Sequence, residues 1–347
     1  MNLFYVLFLI PLVASQSSGL PGNQCGGVIC LDSNDVTCNA ESNECKCNAG
    51  KTGNGRFVCV DATESCVCYL YGDPYVTGFS TSEMSINLPC QHILAEFTTP
   101  NGIKVKVTAI ASQRNERNYP GYVFEDGLLF EASKGNTLAT AMYKRDGFWN
   151  KGLKVKLPFS GNFPDFGVYC SVDEHQYWTL ELPRQGIVVR FRSADSSVTI
   201  QAPKQSQFVS GRPCGQCEGD SNSYKLAAQQ SGLNIKQWSL VNAFNNLDTQ
   251  RETDPVCKSL GTAYNSCSEN QRSKAVQFCG APFSNHQIGE CFSQKFGKRT
   301  LLSMVQACIN AYCQGSVAGW CQATLGAKTS CSNSQVDFEE ITKYCGI

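Results

Sequence analysis

The stretch Gly211-Arg212-Pro213-Cys214-Gly215-Gln216-Cys217 ends in a C-x-x-C pair. Such a pair serves as a redox couple, as half of a zinc site, or as part of a disulfide framework. The first two uses point to an enzyme or a metal centre, and the third points to an extracellular scaffold. The chain of 347 residues contains 21 cysteines, so the state of these thiols decides the fold.

The N-terminus indicates an oxidising environment. Residues 3–13 form an apolar run that is too short for a bilayer, which needs about 20 residues. Val13-Ala14-Ser15 then provides small residues for cleavage. We therefore predict a signal peptide over residues 1–15, a secreted extracellular protein without a membrane span, and disulfide-bonded cysteines. The odd cysteine count leaves one thiol that is either free or bridged to a second chain, as in a disulfide-linked homo-oligomer.

Charge and histidine content argue against several functions. The 29 basic and 29 acidic residues balance, so no overall field attracts nucleic acid or an anionic membrane. The only histidines are His92, His175 and His286, which lie in separate segments without metal-ligand or nucleophile spacing. We therefore expect no catalytic residues.

The residues around the C-x-x-C pair favour structural disulfides. Zinc would need a second reduced pair beside Cys214 and Cys217. Thiol exchange needs a low-pKa thiolate, and the flanking charge is mixed, with Arg212 before the pair and Glu218 and Asp220 after it. We expect each of the two cysteines to be bridged to a distant strand or to the C-terminal part of the chain.

The middle of the chain, roughly residues 66–225, has the pattern of a β-protein. Apolar and polar side chains alternate in Ile103-Lys104-Val105-Lys106-Val107-Thr108. This alternation predicts a strand with one solvated face of Lys and Thr. Similar runs occupy residues 153–157, 186–192 and 197–200, and turn formers occur at residues 100–102, 125–127, 146–147 and 161–162. Many short strands between such turns predict a sandwich or a barrel.

The C-terminal part, residues 255–345, changes to a helical period. Residues 300–312 place Leu301, Met304, Val305 and Cys308 on one helical face. We predict a helical core that is held by disulfides.

The first cysteine cluster, residues 25–59, has the spacing C-x4-C-x7-C-x6-C-x-C-x11-C, with a Gly-rich turn after C-x-C. This pattern resembles an EGF-like domain. The resemblance implies three disulfides, which join Cys25 to Cys38, Cys30 to Cys45, and Cys47 to Cys59. Spacing alone leaves fifteen connectivities open.

The next segment opens with Cys66-Val67-Cys68-Tyr69-Leu70-Tyr71-Gly72-Asp73-Pro74-Tyr75, continues with Cys90 and an apolar strand, and ends at Cys214-Gly215-Gln216-Cys217. It resembles a von Willebrand factor type D (VWFD) domain, although Tyr75 stands where that family usually has His. The resemblance implies a candidate calcium site, for which oxygen ligands are available. The candidate ligands are Asp73, Glu218, Asp220 and Asn222.

The last cysteines, with Pro282-Phe283, resemble a C8 domain. The predicted fold is therefore mainly β: a small EGF-like module (25–59), a VWFD β-sandwich (66–246) and a cystine-rich helical C8 module (255–345). The cysteines assigned to disulfides outside the EGF-like module are Cys68, Cys90, Cys170, Cys214, Cys217, Cys279, Cys291, Cys308, Cys313, Cys321, Cys331 and Cys345.

This order resembles the D assemblies of mucins, zonadhesin, tectorin and von Willebrand factor. The resemblance implies an extracellular matrix, mucus or adhesive protein whose partners are other such proteins. The alternative is a secreted enzyme on the same scaffold, such as a luciferase-like oxygenase. A deep apolar pocket within the sandwich, lined by several of Phe148, Trp149, Tyr177 and Trp178, would support that alternative, and a solidly packed interior would argue against it.

Overall fold

The computed structural model describes residues 22–280, except for 27, 32–33, 56–57, 73–74, 87, 117–118, 163–165, 173–176, 193, 195 and 219–222, together with residues 291, 298–315, 321 and 329. Several predictions fall outside these residues: the signal peptide over 1–15, Asp73, Asp220, Asn222, His175, His286, Pro282, Phe283, Cys331 and Cys345.

The described chain is mainly β with a helical C-terminal part, as predicted. The strands of the first segment are β1 (Gly22–Cys25), β2 (Val28–Leu31), β3 (Val36–Asn39), β4 (Glu44–Cys47), β5 (Lys51–Asn54) and β6 (Val58–Asp61). They form three separate two-stranded antiparallel sheets. These short hairpins are held by three disulfides. The disulfides join Cys25 to Cys38, Cys30 to Cys45 and Cys47 to Cys59. They are the pairs that the EGF-like resemblance implies.

An eight-stranded antiparallel sheet follows, in the order β16-β17-β18-β19-β20-β7-β8-β9. Its strands are β7 (Ser65–Tyr71), β8 (Tyr75–Thr77), β9 (Glu83–Ser85), β16 (Phe159–Asn162), β17 (Gly167–Val172), β18 (Trp178–Leu182), β19 (Ile187–Arg192) and β20 (Ser197–Pro203). Alternate side chains such as Leu70, Val189 and Ile200 are fully buried. These residues form the inner face of the sheet, because successive side chains of a strand point to opposite sides.

A seven-stranded antiparallel sheet has the order β15-β14-β13-β12-β11-β10-β21. Its strands are β10 (Gln91–Thr98), β11 (Lys104–Glu116), β12 (Tyr119–Lys134), β13 (Thr137–Lys144), β14 (Gly147–Asn150), β15 (Leu153–Val155) and β21 (Gln207–Phe208). Residues 100–102 and the turn before Gly147 connect strands as predicted. Residues 161–162, predicted as a turn, instead end β16.

The predicted turn at residues 125–127 is wrong. These residues lie inside β12, where Ile110 pairs with Gly127 and Ala111 pairs with Glu125. Asp126 is therefore the extra residue of a β-bulge. A Cβ at Gly127 would clash with the carbonyl of Tyr143 on β13, so a glycine is required where the two backbones approach. The same Asp-Gly pair that marks a turn also suits a bulge, and the sequence does not separate the two.

The inner faces of the two large sheets pack against each other in a single hydrophobic cluster. Tyr143 from the seven-stranded sheet donates a hydrogen bond of 2.9 Å to the carbonyl of Thr179 in the other sheet. Its ring also packs edge-on against Trp178, with centroids 5.6 Å apart. The arrangement is a β-sandwich, which is one of the two architectures that the strand pattern predicted.

Five helices of the C-terminal part are described: α1 (Ser223–Gln230), α2 (Ile235–Asn245), α3 (Pro255–Ser266), α4 (Glu269–Cys279) and α5 (Lys298–Cys313). Asn234 and Asp254 cap α2 and α3 by accepting hydrogen bonds from backbone N–H groups of the first turn. In α5, Leu301, Val305 and Cys308 are buried as the helical period predicted. Disulfides join Cys267 at the end of α3 and Cys279 at the end of α4 to Cys313 and Cys308 of α5.

Candidate functional site

The Cys214–Cys217 segment joins the two sheets. Cys214 is bridged to Cys68 and Cys217 to Cys66, so both cysteines are tied to β7 of the eight-stranded sheet. The backbone N–H of Cys214 donates to the carbonyl of Leu94 on β10 at 2.9 Å. Because β10 belongs to the seven-stranded sheet, this short segment links both layers of the sandwich. The bridge to Cys66 was not assigned from the sequence.

The residues before this segment attach it to α2. Arg212 forms an ion pair with Glu96 on β10 and donates a hydrogen bond of 2.8 Å to the side chain of Asn246. The amides of Asn242 and Asn246 donate to the carbonyl of Gly211 at 3.0 and 2.8 Å. The Arg212 charge is therefore paired with Glu96.

A buried tyrosine packs beneath the segment. The hydroxyl of Tyr224 donates to the carbonyl of Pro213. A Cβ at Gly78 would clash with that hydroxyl and with the carbonyl of Cys214, so the chain approaches closely only with glycine there. Burial raises the pKa of Tyr224 well above its usual value, so its hydroxyl keeps its proton and remains a donor. Together these contacts fix the Cys214–Cys217 segment to strands β7 and β10 and to helices α1 and α2.

The candidate calcium ligands are not brought together by any described contact. Glu218 is exposed, and its three proposed partners, Asp73, Asp220 and Asn222, lie outside the described residues. Among the residues described, two groups of ligand-type side chains are close enough to hold a metal: Cys25 with Cys30 and Cys45, and Cys90 with Glu252 and Cys257. All five cysteines are in disulfides, so their sulfurs are not thiolate ligands.

Cys170 was assigned to a disulfide, and this assignment is wrong. It is a free thiol, fully buried on the inner face of β17. Burial raises its pKa to about 12, although a hydrogen bond with Tyr143 opposes the shift. Cys170 faces the core of the sandwich, where no second cysteine of the described chain meets it. A thiol in this position is not available for a bridge to another chain.

His92 is buried on β10 between two backbone carbonyls. Its Nε2 lies 2.7 Å from the carbonyl of Leu88, and its Nδ1 lies 3.1 Å from that of Ala243 in α2. Burial lowers the pKa of His92 to about 4, and the two carbonyls oppose that shift. The imidazole connects the sheet to the helix, is fully buried, and within the described part of the chain its ring nitrogens contact these two carbonyls and no nucleophile.

A charged cluster, which sequence reasoning missed, lies on the outer face of the seven-stranded sheet. Lys106 on β11 contacts Glu131 on β12 at 2.6 Å and Asp248 at 3.2 Å. Thr108 donates to the same carboxylate of Asp248 at 3.1 Å, and Arg251 forms an ion pair with Glu131. Burial disfavours the Lys106 charge, but the two carboxylates outweigh it and raise the pKa of the ammonium.

The segment that covers this face follows α2. The backbone N–H of Asp248 donates to the carbonyl of Gln91 at 2.9 Å, and that of Gln91 donates to Glu252 at 2.7 Å. Lys106 and Thr108 were predicted on a solvated face. That prediction is wrong for both, because Thr108 is fully buried and the Lys106 side chain is 22% exposed beneath this segment.

The aromatic residues proposed for an interior pocket do not form one together. Phe148 is fully buried and lines a void of about 10 Å³ between the sheets, which is at the lower limit for a single water. Trp178 packs on Tyr143, Tyr177 lies beneath Arg192, and Trp149 faces outward. Within the described part of the chain, these four residues therefore do not line a common pocket in the interior of the sandwich.

In comparisons with known proteins, no protein-family model matches the chain, and no curated protein matches it in sequence. Eighteen of the 21 cysteines are in disulfides within the described residues. This content fits a disulfide-rich extracellular protein. Among the described helices, none is both long and apolar enough for a membrane crossing.

Proposed function

We propose that this chain is a secreted matrix, mucus or adhesive protein that acts by binding other extracellular proteins. The EGF-like, VWFD and C8 resemblances of its cysteine pattern support this role, and so does the disulfide framework. The observation that carries the proposal is an aromatic surface on the outer face of the eight-stranded sheet, which we call the tyrosine face.

The tyrosine face contains Tyr69, Tyr71, Tyr75, Tyr177 and Arg192. The rings of Tyr69 and Tyr71 are stacked 5.8 Å apart, and those of Tyr71 and Tyr75 are stacked 6.0 Å apart. Tyr75 is 52% exposed. The guanidinium of Arg192 lies 5.1 Å from the centroid of the Tyr177 ring, in a cation–π contact.

The composition of this face suits a protein partner. Tyr and Arg are enriched at protein–protein interfaces. Tyr buries a large area with two side-chain torsions and still offers a hydrogen bond, and the planar guanidinium of Arg donates several hydrogen bonds in a fixed geometry. The stacked rings restrict one another, so little side-chain entropy remains to be lost on binding. A rigid sheet beneath them presents the rings at fixed positions.

The test compares two variants with the wild-type protein. Tyr71→Ser/Tyr75→Ser removes two neighbouring rings of the tyrosine face. Leu153→Ser is the matched control, because Leu153 is 71% exposed but lies on the edge strand of the other sheet. Each protein is passed over surfaces coated with purified mucin, laminin, collagen or the chain itself, and binding is measured by surface plasmon resonance.

We expect saturable binding to at least one coating, weakened about tenfold or more in the double tyrosine variant, since central aromatic anchors contribute about 2 kcal/mol. The Leu153 variant should bind as the wild type does. Absence of saturable binding to all four coatings, or equal loss in both variants, would contradict the proposal.

A further inference from the structure

A second surface lies on the opposite side of the sandwich. A groove of about 550 Å³ crosses the outer face of the seven-stranded sheet. The turn between β14 and β15, with Lys151 and Gly152, borders it, and so do Arg251 and Thr253 of the segment before α3. This volume is within the range of about 300–1,000 Å³ that is usual for small-molecule sites.

The floor of the groove is an apolar row. Leu129 on β12 pairs with Met142 on β13, which in turn pairs with Trp149 on β14. Ile110 on β11 extends the lining. The outer face of an antiparallel sheet is usually polar where it meets water, and a concave apolar row there is typical of a binding site. Packing of the sandwich core does not account for this apolar row, because the row lies on the side of the sheet that faces away from the sandwich interior.

Among the residues that the structure describes, the charged side chains that line the groove are cationic, namely Lys144, Lys151 and Arg251, and no carboxylate of these residues lines it. Two buried acids of the same face, Glu131 and Asp248, are paired with Arg251 and Lys106.

The two lysines remain available. Within the part of the chain that the structure describes, neither Lys144 nor Lys151 forms an ion pair with a carboxylate. The Nζ of Lys144 lies 5.9 Å from the centroid of the Trp149 ring, at the apolar floor. Asp146 accepts a 3.4 Å contact from the indole N–H of Trp149 but does not line the groove.

We propose that this groove binds a small amphipathic organic anion. Its apolar body would lie on the row of Leu129, Met142 and Trp149, and its carboxylate or sulfonate would contact Lys144 and Lys151. Charge complementarity selects an anion over a neutral or cationic molecule of the same shape. This role is independent of the protein contacts proposed for the tyrosine face, which belongs to the other sheet.

The first experiment uses the native full chain and three probes of defined charge. The probes are 8-anilinonaphthalene-1-sulfonate, dodecanoate and dodecyltrimethylammonium, the last two below their micelle concentrations. We expect one sulfonate site per chain, with displacement of the sulfonate by dodecanoate at about tenfold lower concentration than by the cationic detergent. Equal displacement by both detergents would overturn the proposal, because it would show that charge does not contribute.

The second experiment locates the site. Lys144→Gln/Lys151→Gln should weaken sulfonate binding about tenfold. The variant removes two charge contacts with the anion, and each partly exposed contact contributes up to about fivefold in affinity. Lys104→Gln is the matched control, since Lys104 is exposed on β11 and does not line the groove. With ¹³C-methyl methionine, the Met142 methyl signal should shift on binding while that of buried Met84 stays. Unchanged affinity in the double variant, or an unmoved Met142 signal, would show that the anion binds elsewhere and would overturn the proposal.

Discussion

The imidazole of His92 is fully buried, and its charge state contributes to the stability of the folded chain. Its pKa falls to about 4 from the usual 6.5, mainly because burial disfavours the charged ring. The unfolded chain therefore binds a proton between these two pH values, and the folded chain does not. The contribution of His92 to the free energy of unfolding has its full value above pH 6.5. It decreases as the pH falls towards 4 and changes no further below that pH.

We predict that His92→Gln loses this pH dependence. The wild-type free energy of unfolding should fall by about 3 kcal/mol between pH 7 and pH 4 because of this one group. Denaturant unfolding of both proteins at several pH values measures the effect, and the titration of all other groups cancels in the difference between the two slopes. Parallel curves for the two proteins would show that His92 takes up its proton equally in both states.

The segment 246–252 acts as an element of its own, although it is neither helix nor regular strand. It lies over β10 and β11 and covers the charges of Lys106, Glu131 and Asp248. Removing one member of such a cluster leaves the others buried and uncompensated. The loss is therefore larger than the net contribution of the intact cluster.

We predict that Asp248→Ala lowers the free energy of unfolding by about 3–5 kcal/mol. Asp146→Ala is the control, because its carboxylate lies in a turn and makes one contact of 3.4 Å with Trp149. Chemical denaturation measures both. In Asp248→Ala/Lys106→Met the loss should be smaller than the sum of the two single losses, since the unpaired ammonium is gone. If the loss in the double variant equals the sum of the two single losses, the two charges do not stabilise each other.

Local sequence patterns predicted strands and helices better than they predicted which distant residues contact them. The alternation over residues 103–108 indicated β11, and the helical period over residues 300–312 indicated α5, because both follow from neighbours along the chain. The burial of Thr108 depends on Asp248, which is 140 residues away. The groove likewise combines Trp149 with Arg251 from a separate segment. No periodicity in the sequence brings such residues together.

At the scale of the whole molecule, disulfides and one continuous core connect the sandwich to the helices. Cys90, just before β10, is bridged to Cys257 in α3, across a sequence separation of 167 residues. The hydrophobic cluster extends from the sheets through Phe244 of α2 to Val305 of α5. The cysteine count predicted an oxidised framework, but Cys257 and Cys267 were not assigned, because spacing alone does not determine pairing across such separations.

The Cys90–Cys257 bridge should therefore make the sandwich and the helices unfold together. We predict that Cys90→Ala/Cys257→Ala lowers the free energy of unfolding by about 2–5 kcal/mol. It should also let the amides of α3 and α4 exchange with solvent at lower denaturant than those of β18–β20. Hydrogen exchange followed by mass spectrometry measures both regions in one sample. Cys25→Ala/Cys38→Ala is the matched control, because it removes a bridge confined to the first segment. If α3 and the sheet still exchange together without the Cys90 bridge, then the shared core around Phe244 is sufficient to couple their unfolding, and the disulfide is not needed for it.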